Sequence, residues 1–371
     1  MSLQTIVKKV WYPREGQPLP ALAFLLYPAA MAYGSIIRLR NKLYDRRALS
    51  TLRLPCPVIS VGNITVGGTG KTPAVIMIAR MLSDQGRRPA VLSRGYGGAT
   101  RAPVNIASDG KSILMTPEDA GDEPVLMARK LPDIPVLTGP GRYFTGKAAI
   151  DRFGVDVLVL DDAFQHRKIH RDINILLLDS HSPVGNGLTL PAGPLREPLS
   201  ALRRADIIIA TGMTDGLHPS AAIPDILKKE APKRSVPVFH GSHCPVDLVW
   251  ATSGESVPLD ALQGRKILAF SGIARPDGFR RTIEAAGGRI TSFLTYADHH
   301  AYTERDIYDI NSAARRDEAE FIVTTEKDGV KLDRIPGFAE RVLLLRIAME
   351  LPREQDKFIA LVMSRIKSWQ K

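Results

Sequence analysis

From Pro57 onward, short apolar runs alternate with stretches of helical spacing. Val58–Val61 is a β-branched run ahead of a glycine-rich loop. Pro73–Gln85 follows, with Ile76, Ala79 and Met81–Leu82 at the apolar positions of a helix. Ala90–Ser93, Pro135–Thr138 and Val155–Leu160 read as further strands, with a helix over Gly141–Phe153; Ile173–Leu178 and Ile207–Ala210 continue the series. Strands alternating with helices predict a parallel sheet covered on both faces, because parallel neighbours need a crossover. Near Pro219 the pattern changes. A proline-rich, less periodic stretch runs to Pro258, with strands at Val236–His240 and Val246–Trp250. A second α/β series then predicts strands at Ile267–Phe270, Ile290–Leu294, Phe321–Thr324 and Val342–Ile347. Its helices are placed over Pro276–Ala286, Thr303–Arg316 and Arg353–Trp369.

One earlier segment breaks the rhythm. Leu19–Ile37, LPALAFLLYPAAMAYGSII, carries no charge, and Arg38, Arg40, Lys42, Arg46 and Arg47 follow it. Its length is at the lower edge for a membrane span, and Pro28 lies in its middle. A buried core helix, a true span and an interfacial helix docked on an anionic leaflet all remain open; the basic cluster speaks for the last.

Composition narrows the class. With 371 residues, the chain exceeds the size at which one core stops growing, so two subdomains are expected. Hydrophobic content of 44% and charged content of 24% describe a globular protein and exclude a disordered one. The net charge of +11 is more than a nucleotide site needs. It points to a phosphorylated substrate, an anionic membrane or nucleic acid. Two cysteines, Cys56 and Cys244, cannot build a disulfide framework and lack zinc spacing, which fits a reducing compartment. Gln4, Arg14, Glu15 and Gln17 interrupt any secretory pattern at the start.

The chemistry is carried by Ser60-Val-Gly-Asn-Ile-Thr-Val-Gly-Gly-Thr-Gly-Lys-Thr-Pro73. A strand before it and a helix after it are the context of a phosphate loop. Gly67, Gly68, Thr69 and Gly70 let successive backbone N–H groups face one anion, and the helix N-terminus adds its dipole. Lys71 would reach the β- and γ-phosphates of ATP, and the Thr72 hydroxyl would ligate Mg²⁺. Thr65 stands where the strict motif has glycine, and Val66 where partition-type ATPases carry a lysine.

Val157-Leu-Val-Leu-Asp161-Asp162 is a buried strand ending in two acids, the Walker B pattern, expected at the sheet's ligand edge with Mg²⁺. Gly121-Asp122-Glu123-Pro124 reads as a loop whose acid could accept the proton of an attacking hydroxyl. Asp298-His299-His300 suits acid–base or metal work, or a surface cap. Arg94 and Arg142 sit in glycine-rich turns and suit phosphate clamping. Thr325-Glu326-Lys327-Asp328 resembles a guanine-reading motif, but Glu326 occupies the lysine's place.

Six motifs occur in order: Gly62 to Pro73, Ser93-Arg-Gly-Tyr-Gly-Gly98, Gly121 to Pro124, Leu160-Asp-Asp-Ala-Phe-Gln-His166, Pro191-Ala-Gly-Pro-Leu-Arg-Glu-Pro198 and Asp298-His-His300. Together they resemble the tetraacyldisaccharide 4'-kinases, the lipid A 4'-kinases of Gram-negative bacteria, over nearly the whole chain. The resemblance implies transfer of phosphate from ATP to the 4'-hydroxyl of an acylated disaccharide 1-phosphate lipid, with Mg²⁺. It implies Lys71 and Thr72 on phosphates and metal, Asp161 and Asp162 organising the metal with Glu197 as an additional contact, and Arg142 stabilising phosphate charge. Asp122 paired with His299 would act on the hydroxyl; far apart in sequence, they are expected to meet only when the second subdomain closes over the first. It also favours the interfacial reading of Leu19–Ile37, on the cytoplasmic face of the bacterial inner membrane, peripheral or monotopic.

The expected architecture is thus a P-loop NTPase-type parallel sheet with helices on both faces, a second smaller α/β subdomain and an N-terminal membrane-associated helix. Residues 1–50 form the membrane-associated segment, 51–233 the P-loop kinase domain and 234–250 linker strands. Residues 251–340 form the second subdomain, and 341–371 a linker strand with the C-terminal helix. A monomer is expected, facing an anionic inner-membrane surface and no nucleic acid. The alternatives are a P-loop kinase for another substrate or a membrane-associated partition-type ATPase.

Overall fold

The computed structural model describes residues 7, 9–13, 20–212, 222–232, 234–332 and 335–369. Leu19, Pro219 and the polar residues Gln4, Arg14, Glu15 and Gln17 fall outside them. Along the chain come α1 (Ala21–Asp45), β1 (Val58–Asn63), α2 (Lys71–Asp84), β2 (Pro89–Ser93), β3 (Asn105–Ser108), α3 (Asp122–Lys130), β4 (Val136–Thr138) and α4 (Arg142–Phe153). Then follow β5 (Val157–Leu160), β6 (Ile173–Asp179), β7 (Ile207–Thr211), α5 (Ala222–Glu230) and β8 (Val238–His240). The chain continues through β9 (Ser242–Trp250), β10 (Ser256–Val257), β11 (Lys266–Ser271), α6 (Pro276–Ala285), β12 (Arg289–Thr295) and α7 (Glu304–Arg316). It ends with β13 (Phe321–Thr325), the short α8 (Glu326–Gly329), β14 (Val342–Glu350) and α9 (Gln355–Trp369).

These elements form two compact units. The first comprises Met1–Arg94, Gly141–Ser242 and Glu350–Lys371. Its strands run in the order β2–β5–β1–β6–β7–β8, and neighbours are parallel. β1, β5, β6 and β7 are buried along their whole length, as a parallel sheet with two covered faces requires. β5 lies beside β1, with Ser60 opposite Leu160. The residues that follow these two strands therefore leave the sheet at the same carboxyl edge. Ile64, Phe164, Leu176, Leu202 and Ile208 share one core. Phe164 is fully buried, with the Arg204 guanidinium 4.6 Å from its ring centre; burying such a ring contributes roughly 2–3 kcal/mol.

In α1 the buried positions are Ala23, Ala30 and Gly34, a stripe of small residues that lets the helix approach closely. Leu25 is 77% exposed and Phe24, Ile36 and Leu39 are also exposed. The core-helix reading of this segment therefore fails. The helix is long and apolar enough to cross a membrane, and only 17% of its most apolar window is buried.

The second unit comprises Gly95–Pro140 and His243–Met349. Its sheet has the order β10–β9–β14–β13–β11–β12, parallel from β14 to β12 and antiparallel between β10 and β9. The period-two alternation of β11 feeds two cores: Leu268 and Phe270 join Ile310 and Ile322, while Ile267 and Ala269 join Ile283 and Leu343. β3 and β4 pair antiparallel in the same unit.

The division departs from the expected one: residues 243–250 and 341–349, expected as linker strands, lie within the second unit, and two further departures have visible causes. Residues 95–140 belong with the second unit, because α3 is bolted to α8: Lys130 Nζ lies 2.5 Å from Glu326 Oε2 and donates to the Ile347 carbonyl at 3.0 Å. The C-terminal helix α9 belongs with the first unit. Glu354, just ahead of it, accepts from the His240 amide at 2.8 Å, and Phe358 meets Phe239 edge-on at 5.2 Å. The helix after the glycine loop starts at Lys71, two residues before Pro73, whose missing N–H costs nothing in a first turn.

Candidate active site

The phosphate loop joins β1 to α2. Gly70 caps α2 at φ 79° and ψ 26°, a left-handed conformation that an L side chain resists, and this turn leaves the first amides of α2 without helical partners. Gly67 and Gly68 are exposed, whereas Thr69 is buried. The loop is braced from behind: Asn63 Nδ2 donates to Thr69 Oγ1 at 3.0 Å, and Thr211 Oγ1 to the Thr69 carbonyl at 3.1 Å. The Pro191–Pro198 segment clasps it as well, through Val66 N to the Pro194 carbonyl at 2.8 Å and Arg196 N to the Ile64 carbonyl at 2.7 Å.

Asp161 and Asp162 leave β5 beside this loop. Asp161 is buried and accepts from Ser93 Oγ at 2.9 Å. Asp162 adopts φ 45°, which turns it away from the strand's path. Its carboxylate lies 3.8 Å from Lys71 Nζ, and Arg196 NH1 donates to both oxygens, at 2.9 and 2.8 Å. Burial alone would raise its pKa; Lys71 and Arg196 outweigh burial and hold the carboxyl below its usual range.

Arg142 opens α4, is 3% exposed and donates to the Asp161 carbonyl at 3.3 Å. Burial pushes its pKa down to about 10, with Asp161 opposing and Arg94 adding to the shift, so it stays charged at neutral pH. His166 is pushed down to about 4, by burial first and then by Arg142 and Arg171. It is therefore a neutral ring beside the arginines.

Glu197 is fully buried. It accepts from Asn41 Nδ2 at 2.7 Å and Arg204 NH2 at 2.8 Å, and Arg40 NH2 lies 3.6 Å away. These contacts tie α1 to the first unit, as do Tyr33 Oη to the Arg196 carbonyl at 2.9 Å and Thr189 Oγ1 to the Ala30 carbonyl at 2.8 Å. The expectation of Glu197 as a metal contact draws on none of them. Sequence reasoning singled out the segment but not Arg196, the group that grips Asp162; an arginine three residues past Gly193 was the only signal.

The hard oxygen donors by the loop are Asp161, Asp162 and the Thr72 hydroxyl. Among the described residues no three His, Cys, Asp or Glu side chains converge as a metal cluster. One or two carboxylates with a hydroxyl suit Mg²⁺ whose other positions belong to nucleotide phosphates and water, so the residues present fit that ion.

Asp122 and His299 meet within the second unit, with Nδ1 3.2 Å from Oδ2. Closure of one subdomain over another is not what joins them. Nor is Asp122 in a loop: it is the first residue of α3, where the helix dipole favours a carboxylate. Pro124 misled the reading, since a proline in a first turn is compatible with a helix. Gly121 delivers Asp122 at φ 95°, where a Cβ would stand 2.5 Å from the Tyr96 carbonyl oxygen, so only glycine fits. Lys331 Nζ lies 3.6 Å from the same Oδ2. Burial raises the Asp122 pKa, but the His299 hydrogen bond and Lys331 outweigh it, and the carboxyl titrates below its usual range. His299 holds φ 61° and meets Tyr96 edge-on at 5.8 Å. His300 is occupied elsewhere: it contacts Asp306 at 3.0 Å and stacks on Tyr296.

The chain matches a family model described as tetraacyldisaccharide-1-P 4'-kinase over residues 22–367. A tetraacyldisaccharide 4'-kinase of Syntrophus aciditrophicus is 48% identical over 373 aligned positions, covering 99% of this chain and 100% of that protein. One of Pelobacter propionicus is 43% identical, covering 91% of each. The crystal structure of LpxK from Aquifex aeolicus in complex with ATP superposes with a TM-score of 0.73 at 35% identity, covering 93% of this chain and 99% of that one.

Proposed function

The chain belongs to the tetraacyldisaccharide-1-P 4'-kinase family, and from that premise we propose which of its residues perform the reaction. It is an ATP-dependent kinase of lipid A biosynthesis, transferring phosphate to the 4'-hydroxyl of a tetraacyldisaccharide 1-phosphate. The partition-type ATPase and the kinase for another substrate lapse with this membership.

In our reading the donor side is the phosphate loop. Gly67, Gly68, Thr69 and Gly70 present backbone amides to the phosphates, Lys71 neutralises the transferred group, and Arg142 answers the charge that develops on it. Asp161 and Asp162, with Thr72, hold Mg²⁺. Bound there, the ion would neutralise phosphate charge. Arg196 fixes Asp162 in place, and Glu197 we assign to anchoring α1 through Arg40, Asn41 and Arg204.

The acceptor side is the dyad. The lipid's 4'-hydroxyl gives its proton to Asp122 as its oxygen bonds to the γ-phosphorus. The bond from that phosphorus to the β,γ-bridging oxygen breaks, ADP leaves with the electron pair, and Asp122 releases the proton to solvent. A carboxylate kept ionised and oriented by a histidine suits this task. The observation that carries the assignment is His299 Nδ1 at 3.2 Å from the Asp122 carboxylate at the start of α3. Asp122→Ala is expected to lose at least about a hundredfold in turnover while ATP still binds. Undiminished lipid phosphorylation by this variant removes Asp122 from the mechanism.

The exposed apolar flank of α1, followed by Arg38, Arg40 and Lys42, supports docking on an anionic leaflet. We place it on the cytoplasmic face of the inner membrane, where ATP is present. We take the protein to act as a monomer and without nucleic acid.

A further inference from the structure

The residues named so far grip the phosphates of ATP and leave its base and ribose without partners. The loop itself does not supply them. Past Thr72, Pro73 has no amide hydrogen, and Ala74 N is bonded to the Gly70 carbonyl at 3.2 Å. The Thr325–Asp328 near-match to a guanine-reading motif does not supply them either. Asp328 is fully buried and accepts from Gly272 N at 3.0 Å and Thr325 Oγ1 at 2.8 Å.

Strand order indicates where the nucleoside lies. β1 stands between β5 and β6; the chain leaves β1 toward β2 on one side and returns past β1 from β5 to β6 on the other. The carboxyl edge at β1 and β6 is therefore a switch point of the kind at which such sheets bind ligands. Lys71 and Asp162 draw the metal and the γ-phosphate toward β5. The nucleoside then extends over the opposite flank, the ends of β6 and β7. Asp179 ends β6 in register with Thr211, whose hydroxyl reaches the Thr69 carbonyl at 3.1 Å, so this flank is continuous with the glycine loop. The exposed ring on it is His181. Its amide donates to Asp179 Oδ1 at 3.1 Å, and its Nδ1 lies 3.5 Å from the same oxygen. Gly212 follows β7 at φ 84°, where a Cβ would stand 3.0 Å from Asp179 Oδ1 and 3.3 Å from His181 Nδ1. A buried carboxylate and a glycine thus hold one edge of the imidazole, while the side chain stays 56% exposed. A planar ring fixed at one edge and open to solvent is a stacking surface for a nucleobase.

We infer that His181 is the base-binding residue of the nucleotide site: the adenine stacks on its imidazole, which Asp179 and Gly212 hold in place. This rests on the reading of Gly67–Lys71 as the phosphate loop.

The test measures binding of ATP, ADP and inorganic tripolyphosphate, each with Mg²⁺, to the full chain and to its His181→Ala, His181→Phe and Lys71→Ala variants. Tripolyphosphate carries phosphates without a base, so it separates a base contact from damage to the loop. His181→Ala is expected to bind ATP and ADP about tenfold more weakly and tripolyphosphate as the parental chain does. His181→Phe keeps a ring and stays within about twofold of the parental affinity for ATP. In the parental chain the His181 ring proton signals should move upfield on addition of ADP, through the ring current of the stacked purine, and stay in place with tripolyphosphate; this readout needs no variant. Parental ATP affinity in His181→Ala overturns the inference, as does equal weakening of ATP and tripolyphosphate, a phenylalanine variant as weak as the alanine one, or a His181 ring signal indifferent to ADP. Lys71→Ala should weaken all three ligands; if it weakens none, the phosphate-loop reading has failed instead.

Discussion

Glu197→Ala separates two roles for one carboxylate. The side chain is fully buried between Asn41 at 2.7 Å and Arg204 at 2.8 Å, with Arg40 at 3.6 Å. Breaking a buried pair by removing one partner costs about 3–5 kcal/mol, because the other charge stays behind. Arg40 is 35% exposed and can turn to water, so its share is small. Arg204 cannot: burial already presses its pKa down, and Glu197 is the chief group opposing that. The expected loss is therefore about 3 kcal/mol, at the low end of that range. With a slope near ~2 kcal/mol per molar urea, the midpoint of unfolding falls by about 1.5 M. Glu197→Gln keeps the shape and the Asn41 contact and should lose less, about 1–2 kcal/mol. The assay is urea unfolding followed by tryptophan fluorescence, alongside turnover titrated with Mg²⁺. An unchanged midpoint with a raised Mg²⁺ requirement refutes the anchoring role and returns Glu197 to the metal.

Gly121→Ala forces a side chain to φ 95° and against the Tyr96 carbonyl; a loss of about 2 kcal/mol or more in thermal unfolding, together with impaired turnover, is expected, and parental stability would contradict the close approach. His166 should titrate near pH 4, so its ring signals in NMR stay flat through neutral pH; a midpoint near the ordinary 6.5 would show that the ring is not held among Arg142 and Arg171. Replacing Leu25, Ile36 and Leu39 together by serine is expected to weaken binding to anionic vesicles by about tenfold or more and raise KM for the lipid, leaving KM for ATP alone; unchanged vesicle binding removes α1 from the docking surface. These substitutions are cleaner than deletion through Ile37, which would also remove Tyr33 and Ala30 from their contacts with Arg196 and Thr189.

The central sheet was legible because its strands are covered on both faces and read as continuous apolar runs such as Val157–Leu160. The loop and its carboxylates were legible for the same reason: glycines and acids punctuate those runs at fixed offsets. What escaped was set by tertiary contact. β3 is a four-residue edge segment with only Ala107 and Ser108 buried, too short to show a period. α3 begins with Asp-Glu-Pro, a string that fits a turn as well as a first helical turn. Which histidine meets Asp122 could not be read from adjacent residues of one type; the left-handed turn at His299 and the capping role of Asp306 decided it. Arg196 went unnoticed because its partner, Asp162, is 34 residues away.

The Thr189–Glu197 stretch meets α1 through Ala30, Tyr33 and Asn41, the glycine loop through Ile64 and Val66, and the Walker B acid through Asp162. Residues that share partners in this way do not vary independently. Substitutions at Asn41, Arg196, Glu197 and Arg204 are expected to be strongly epistatic, with double variants departing from the sum of singles by about 0.5–3 kcal/mol. A lineage adapting its α1 to a different bilayer would thus have to change residues around its nucleotide loop in step, so that membrane adaptation and catalytic fitness are traded along one short segment of chain.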